Sequence, residues 1–209
     1  MKISVIMASY LNMPNREKLE LKFKRAVSSF LKQTHEDKEL IIISDGCEKT
    51  IKIYNENFSN YNNIKLIPIP KQPLYSGIMR NIAYDLCDGE IIAYLDADDV
   101  IKNDHLSIIH EQFDMENIDA VYYDDYMVLN KEFSKFHIRK VEPRYGSIGT
   151  SSISHKNPKL LKNGENLKWS SGYGHDFLFF MKIVSLGYRF KKLDRIPGYI
   201  VCHYYQMDA

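Results

Sequence analysis

Gly89-Glu-Ile-Ile-Ala-Tyr-Leu-Asp-Ala-Asp-Asp99 joins an almost uninterrupted apolar run to three carboxylates. From Glu90 to Leu95 there is none of the in-out alternation of a half-exposed strand, so the segment reads as a strand buried on both faces, the kind found in parallel sheets covered by helices. Ile3 to Ala8, Glu39 to Ile43 and Ile64 to Ile69 repeat that character. Between these runs, Arg16 to Lys32 carries Leu19, Phe23, Ala26, Val27 and Phe30 at helical spacing, and Glu48 to Phe58 and Ser76 to Cys87 are shorter helical stretches. Asn103 can cap a helix running to Phe113, and Ala120 to Val128 reads as a fifth strand. The alternation predicts an α/β fold, a doubly wound, mostly parallel sheet with helices on both faces.

Beyond residue 130 the pattern is less regular. Glu132 to Lys140, Gly149 to His155 and Tyr199 to Tyr204 read as strands, residues 156 to 173 as a loop, and Asp176 to Leu186 as a helix closed by Gly187. No linker, repeat or low-complexity stretch intervenes. The reading is therefore one domain in two parts, residues 1–130 carrying the first five strands and 131–209 packing on the same sheet as its continuation.

The chain has 209 residues, 44% hydrophobic, 12% aromatic and 26% charged, a composition that excludes extended disorder. No stretch approaches the roughly 20 apolar residues needed to span a bilayer. Lys2 followed by Ile3 to Tyr10 lacks the cleavage site of a signal peptide, and Cys47, Cys87 and Cys202 form neither a disulfide framework nor a zinc pattern. The expected compartment is the cytoplasm, with peripheral attachment to a membrane open. Residues 1–130 hold 14 Lys and Arg against 21 Asp and Glu, whereas residues 131–209 hold 14 against 6. The acidic part could hold a cation; the basic part could face an anionic partner or be plain solvated surface.

In open α/β sheets ligands sit beyond the carboxyl ends of the strands. Three such places are acidic here: Ser44-Asp45-Gly46, Asp96-Ala97-Asp98-Asp99, and Asp124-Asp125. Carboxylates crowded on one rim repel unless a cation or hydrogen-bonding ligand compensates. An all-oxygen set suits Mg²⁺ or Mn²⁺, which take one or two carboxylates and fill their remaining positions with water and substrate phosphate oxygens. The plainer roles are a helix cap for Asp99, a turn former for Asp45 and a helix-surface charge for Arg80. Val100 and Ile101 stand where an EF-hand would carry a ligand and its turn glycine, which makes a calcium loop a poor alternative, and no Gly-x-x-x-x-Gly-Lys phosphate loop is present.

Ile3-Ser-Val-Ile-Met-Ala-Ser-Tyr10, Ala26-Val-Ser-Ser-Phe-Leu-Lys-Gln-Thr-His35, Glu39-Leu-Ile-Ile-Ile-Ser-Asp-Gly46, Arg80-Asn-Ile-Ala83 and Gly89 to Asp99 together resemble a family 2 glycosyltransferase of the GT-A fold, over about the first 130 residues. Gly174-His175-Asp176 is similar to that family's Glu-Asp pair, and His203 falls near its C-terminal histidine. The resemblance implies inverting transfer from a nucleotide diphosphate sugar, UDP-sugar favoured, with Mn²⁺ or Mg²⁺ on the diphosphate. It places the donor against Ala8, Tyr10, Asp45, Arg80, Asp96 and Ala97, the metal on Asp98 with His203, and the general base at Asp176.

His175 and Trp169 fall on the acceptor side; Trp169 would stack on an acceptor ring or else anchor its loop. The plainer role of Asp176 is a helix cap, and that of His203 a buried strand histidine. Ala8 stands where many relatives carry a hydroxyl, and His175 replaces the usual glutamate. A saccharide or lipid-linked acceptor is favoured slightly over nucleic acid. The competing readings are a nucleotidyltransferase, for which Ser9-Tyr10-Leu11-Asn12 lacks the expected glycine and lysine, and a non-catalytic nucleotide-sugar-binding relative.

Overall fold

The computed structural model of the chain describes residues 1–13, 18–72, 77–128 and 135–202. Four parallel strands build its centre: β1 (Ile3–Ser9), β2 (Lys38–Asp45), β3 (Ile64–Ile69) and β4 (Ile91–Tyr94), with β1 between β2 and β4. Because successive side chains point to opposite faces, each strand feeds two cores. Ile3, Val5 and Met7 pack on one face with α1 (Leu19–Leu31), α2 (Glu48–Asn57) and α4 (His105–Met115). Ile6 and Ile41 face the other side, against α3 (Gly77–Tyr84) and α5 (His175–Ser185). Helices on both faces are what continuous apolar strands require, as the sequence predicts.

The remaining strands depart from the sequence reading in instructive ways. Ala120 to Val128 is two strands, β6 (Ala120–Tyr122) and β7 (Asp125–Val128), in two different sheets. The chain breaks at Tyr123, wholly buried, and Asp124, whose carboxylate accepts the Val141 amide and Lys140 and Lys192 amines. Strand β9 (Ile153–Lys156) begins later than predicted, after a single 3₁₀ turn at Thr150–Ser152, and runs antiparallel between β4 and β6. Beyond β6 the main sheet ends in β10 (Phe190–Lys192), a strand the sequence did not reveal.

A four-stranded second sheet orders β5 (Val100–Ile101), β11 (Tyr199–Val201), β7 and β8 (Phe136–Arg139). Strands β8 and β11 are the described cores of the two runs predicted to start at Glu132 and to end at Tyr204. Asn103 does not cap α4: the helix begins at His105 after Asp104, and the Asn103 carbonyl accepts the Thr34 amide instead. Helix α5 ends as predicted, with Gly187 at φ 73° and amides of Gly187 and Tyr188 closing on Val184 and Ile183.

Candidate active site

The carboxyl ends of β1 and β4 open into a cleft of about 460 Å³. Ala8, Tyr10 and Leu11 line it from the first strand, Arg80 from α3, and Asp96, Ala97, Asp98 and Asp99 from the turn after β4. The opposite wall is residues 145–151 together with 173–177, which include His175 and Asp176. Thus Ala8, Tyr10, Arg80, Asp96, Ala97, Asp98, His175 and Asp176 come together in one cleft, from segments up to 168 positions apart in sequence.

Arg80 is the link between the two walls. It is 3% exposed; one guanidinium nitrogen donates to Asp96 at 3.2 Å and the other lies 3.2 Å from Nε2 of His175. The His175 Nδ1 lies 3.1 Å from the Gly172 carbonyl, which orients the ring so that Nε2 faces Arg80. Arg80 is therefore a buried bridge, and the simple surface-charge role is excluded.

Asp176 follows His175 in the first turn of α5. Gly174, at φ 80°, occupies the cap position and no side chain caps the helix, so Asp176 is not an ordinary cap. Its carboxylate instead accepts the Thr150 hydroxyl and lies 3.2 Å from His175 Nε2. Burial works to raise its pKa, but the hydrogen bond and charge of His175, the Arg80 guanidinium and the Thr150 hydroxyl outweigh it and hold the group below the usual carboxylate value. At neutral pH Asp176 is a carboxylate.

The acidic turn divides by role. Asp99, 1% exposed, accepts the Cys202 amide at 2.7 Å and thereby ties the turn to the end of β11; it precedes β5 and caps no helix. The Asp96 amide donates to the Tyr199 hydroxyl at 2.9 Å, and Arg25 holds the Asp98 carbonyl at 3.2 Å. These bonds fix the backbone while Asp96 and Asp98 line the cleft. Among the described residues no group of three or more His, Cys, Asp or Glu is arranged around one point. Two partly exposed carboxylates are nevertheless a fitting donor set for Mg²⁺ or Mn²⁺, whose other positions go to water and phosphate oxygens. His203 lies outside the described residues.

Two predicted residues stand elsewhere. Asp45, 3% exposed, is outside the cleft lining, and its carboxylate accepts Lys71 Nζ at 2.5 Å and the Gln72 amide at 2.6 Å. Lys71 in turn sits 4.4 Å over the ring of Tyr10, so Asp45 reaches the cleft only through that pair. Of the two roles open to Trp169, its burial rules out stacking on an acceptor and leaves the anchor. It is 3% exposed, its ring stacked on Phe179 at 3.9 Å and its Nε1–H donating to the hydroxyls of Tyr84 and Tyr94 at 2.7 and 3.1 Å. A large apolar ring with one polar handle finds a core with a matching acceptor, and Arg80 packs 4.8 Å above it.

Sequence reasoning missed Thr150, Arg139, Tyr145 and Tyr173, all on the cleft wall. Arg139 ends β8, Thr150 opens the 3₁₀ turn, and Tyr145 and Tyr173 lie in irregular segments, so no spacing signal ties the four together. The three cysteines are buried, and none is in a disulfide among the described residues. No helix among the described residues is long and apolar enough to cross a membrane.

A carboxylate-rimmed cleft at the carboxyl ends of a mostly parallel, helix-covered sheet, with β9 inserted antiparallel, defines the GT-A fold. The model of the family described as glycosyl transferase family 2 matches residues 4–186, and the chain belongs to that family. It is 32% identical over 123 residues to an uncharacterized glycosyltransferase of Nostoc sp., an alignment covering 59% of this chain and 36% of that protein. It is 27% identical over 133 residues to the cholesterol galactosyltransferase of Borreliella burgdorferi, covering 62% and 35%. The chain thus spans about a third of the length of these two curated relatives.

Two solved structures share the fold. One is S. aureus TarS 1–349 in complex with UDP-GlcNAc, with a TM-score of 0.75 at 18% identity, covering 100% of this chain and 61% of that one. The other is the mannosyltransferase PcManGT from Pyrobaculum calidifontis in complex with GDP-Man and Mn²⁺, with a TM-score of 0.67 at 16% identity, covering 97% and 56%.

Proposed function

We propose that the chain is a divalent-metal-dependent, inverting glycosyltransferase that moves a sugar from a nucleotide diphosphate sugar, UDP-sugar favoured, onto an acceptor hydroxyl. The observation that carries this reading is the convergence of Asp96, Asp98 and the ionised Asp176 on one cleft, with Arg80 linking Asp96 on one wall to His175 on the other. The nucleotide-sugar complexes of the structural neighbours, one with UDP-GlcNAc and one with GDP-Man and Mn²⁺, support the donor class.

Asp98, with Asp96 beside it, would hold Mn²⁺ or Mg²⁺, which supplies charge neutralisation to the leaving diphosphate. Arg80, buried and aimed at the same rim, adds a fixed positive charge that needs no reorganisation as negative charge develops. Ala8, Tyr10 and Ala97 form the floor under the donor, and Asp45 steadies that edge by holding Lys71 over Tyr10. Asp176 takes the proton of the acceptor hydroxyl; the acceptor oxygen bonds to the anomeric carbon as the bond to the diphosphate breaks, which inverts the centre. Thr150 and His175 keep the carboxylate turned to the cleft. The acceptor is a saccharide or a lipid-linked one rather than nucleic acid.

Replacing Asp176 by Asn tests the base directly. Asn preserves the shape and can still accept the Thr150 hydroxyl, but it cannot take a proton. Transfer should drop by ~10² or more while UDP affinity and folding stay near wild type. Near wild-type transfer by the variant would remove Asp176 from the mechanism.

A further inference from the structure

Trp169 lies in the core, and the cleft presents two other rings where an acceptor must enter. Tyr145 is 55% exposed and Tyr173 77% exposed, yet both line the same cleft wall as Asp176. Their centroids are 6.0 Å apart at 66°, and Tyr145 meets Phe177 edge-on at 6.2 Å. The pair is held in place. Gly174, in the left-handed region at φ 80°, has no room for a Cβ, which would fall 2.5 Å from the Tyr145 ring; the ring rests directly on the backbone that leads into His175 and Asp176. Two large aromatic faces fixed beside a base and left open to water mark a surface that is covered in use.

We infer that Tyr145 and Tyr173 form the acceptor platform and that its occupant is a saccharide ring; this deepens the transfer reading above and rests on it. A sugar offers an apolar C–H face to each ring and hydroxyls to the tyrosine oxygens and to Asp176. A polynucleotide would need cations for its phosphates. The cations of residues 139–144, which lead into Tyr145, are already matched: Arg144 with Glu142 at 2.8 Å, Lys140 with Asp124 at 2.9 Å, and Arg139 with Asp125. A purely apolar chain would leave the hydroxyls of both tyrosines and the cleft carboxylates without partners.

The test is direct binding of the chain to an immobilised panel of neutral oligosaccharides and to single-stranded DNA, with UDP and Mn²⁺ titrated in parallel, for wild type, Tyr145→Ala, Tyr173→Ala and Tyr173→Phe. The expected result is retention on one or more oligosaccharides, weakened about tenfold or more by either alanine and largely restored by Tyr173→Phe, which keeps the ring face and gives up only the hydroxyl, with UDP affinity unchanged. Tyr173 is exposed enough that its alanine variant leaves the fold intact, so a folding failure of Tyr145→Ala would not shelter the idea. Oligosaccharide binding indifferent to both alanines, no oligosaccharide retained by a chain that binds UDP, or tyrosine-dependent capture of DNA instead would overturn it. Loss of the donor reading would show separately, as absent UDP binding with the oligosaccharide arm intact.

Discussion

At the scale of single residues, the acidic rim separates into groups that build and groups that act. Asp99 is consumed by the Cys202 amide and Asp45 by Lys71 and Gln72, whereas Asp98 lines the cleft on a backbone that Arg25 holds. If Asp98 contacts the cation, Asp98→Asn should abolish Mn²⁺-dependent turnover while leaving unfolding without ligand nearly unchanged. The stabilisation that UDP with Mn²⁺ adds to the wild-type chain, which follows from binding only the folded state, should fall to that of UDP alone. A variant that keeps the full Mn²⁺-dependent rise in melting temperature would show that the cation sits elsewhere. The rim carboxylates were legible in the sequence because clustered charge needs a reason. The buried partnerships of Asp45 and Asp99 were not, since they depend on residues far along the chain.

At the scale of elements, strands β1 to β4 could be read because their apolar runs have no other use than burial on both faces. The boundary between β6 and β7 could not, because Ala120 to Val128 is apolar and aromatic apart from Asp124 and Asp125, and it is Asp124, neutralised by Lys140 and Lys192, that marks the change of sheet. Trp169 was hidden for a related reason: Lys168 and Ser170 look like a solvated loop, but Asn81 binds both the Trp169 amide and its carbonyl and turns the ring inward. That ring is the joint where α3, β4 and α5 meet, through Tyr84, Tyr94 and Phe179. Trp169→Phe keeps most of the stacking but removes the N–H that two buried hydroxyls share. It should lower stability by about 1–3 kcal/mol, seen in urea as a lower midpoint at unchanged slope. It should also slow transfer more than it weakens UDP binding, because a phenyl ring supports the Arg80 guanidinium less strongly than the indole, the nearer of its two aromatic supports. An unchanged midpoint would mean that the buried hydroxyls satisfy one another without the indole.

At the scale of the whole molecule, the buried ionisable groups set how the fold responds to acid. His155 is wholly buried, its Nδ1–H donating to the Lys156 carbonyl and its Nε2 accepting the Tyr94 hydroxyl, a complete set for a neutral ring. His105 donates from Nδ1 to the Pro197 carbonyl, and its Nε2 has no partner among the described residues, lying between the rings of Tyr123 and Tyr199. Burial pushes both down to about 4. The unfolded chain then takes up protons first, at the ordinary value near 6.5, so stability present above that pH is lost as the pH falls from about 6.5 to 4, on the order of 3 kcal/mol for each ring. Asp119 extends the same sign to lower pH. Burial opposes its ionisation, but Arg189 and Lys156, which it ties across β6, β9 and β10, hold it at about 2, so its contribution is lost between roughly 3.8 and 2. Urea midpoints at pH 7.5, 5.5 and 4.5 should therefore fall steadily. His105→Leu, which gives up a single hydrogen bond to Pro197, should flatten part of that slope. Midpoints that stay level between pH 7.5 and 4.5 would mean that both rings reach water and charge freely in the folded protein.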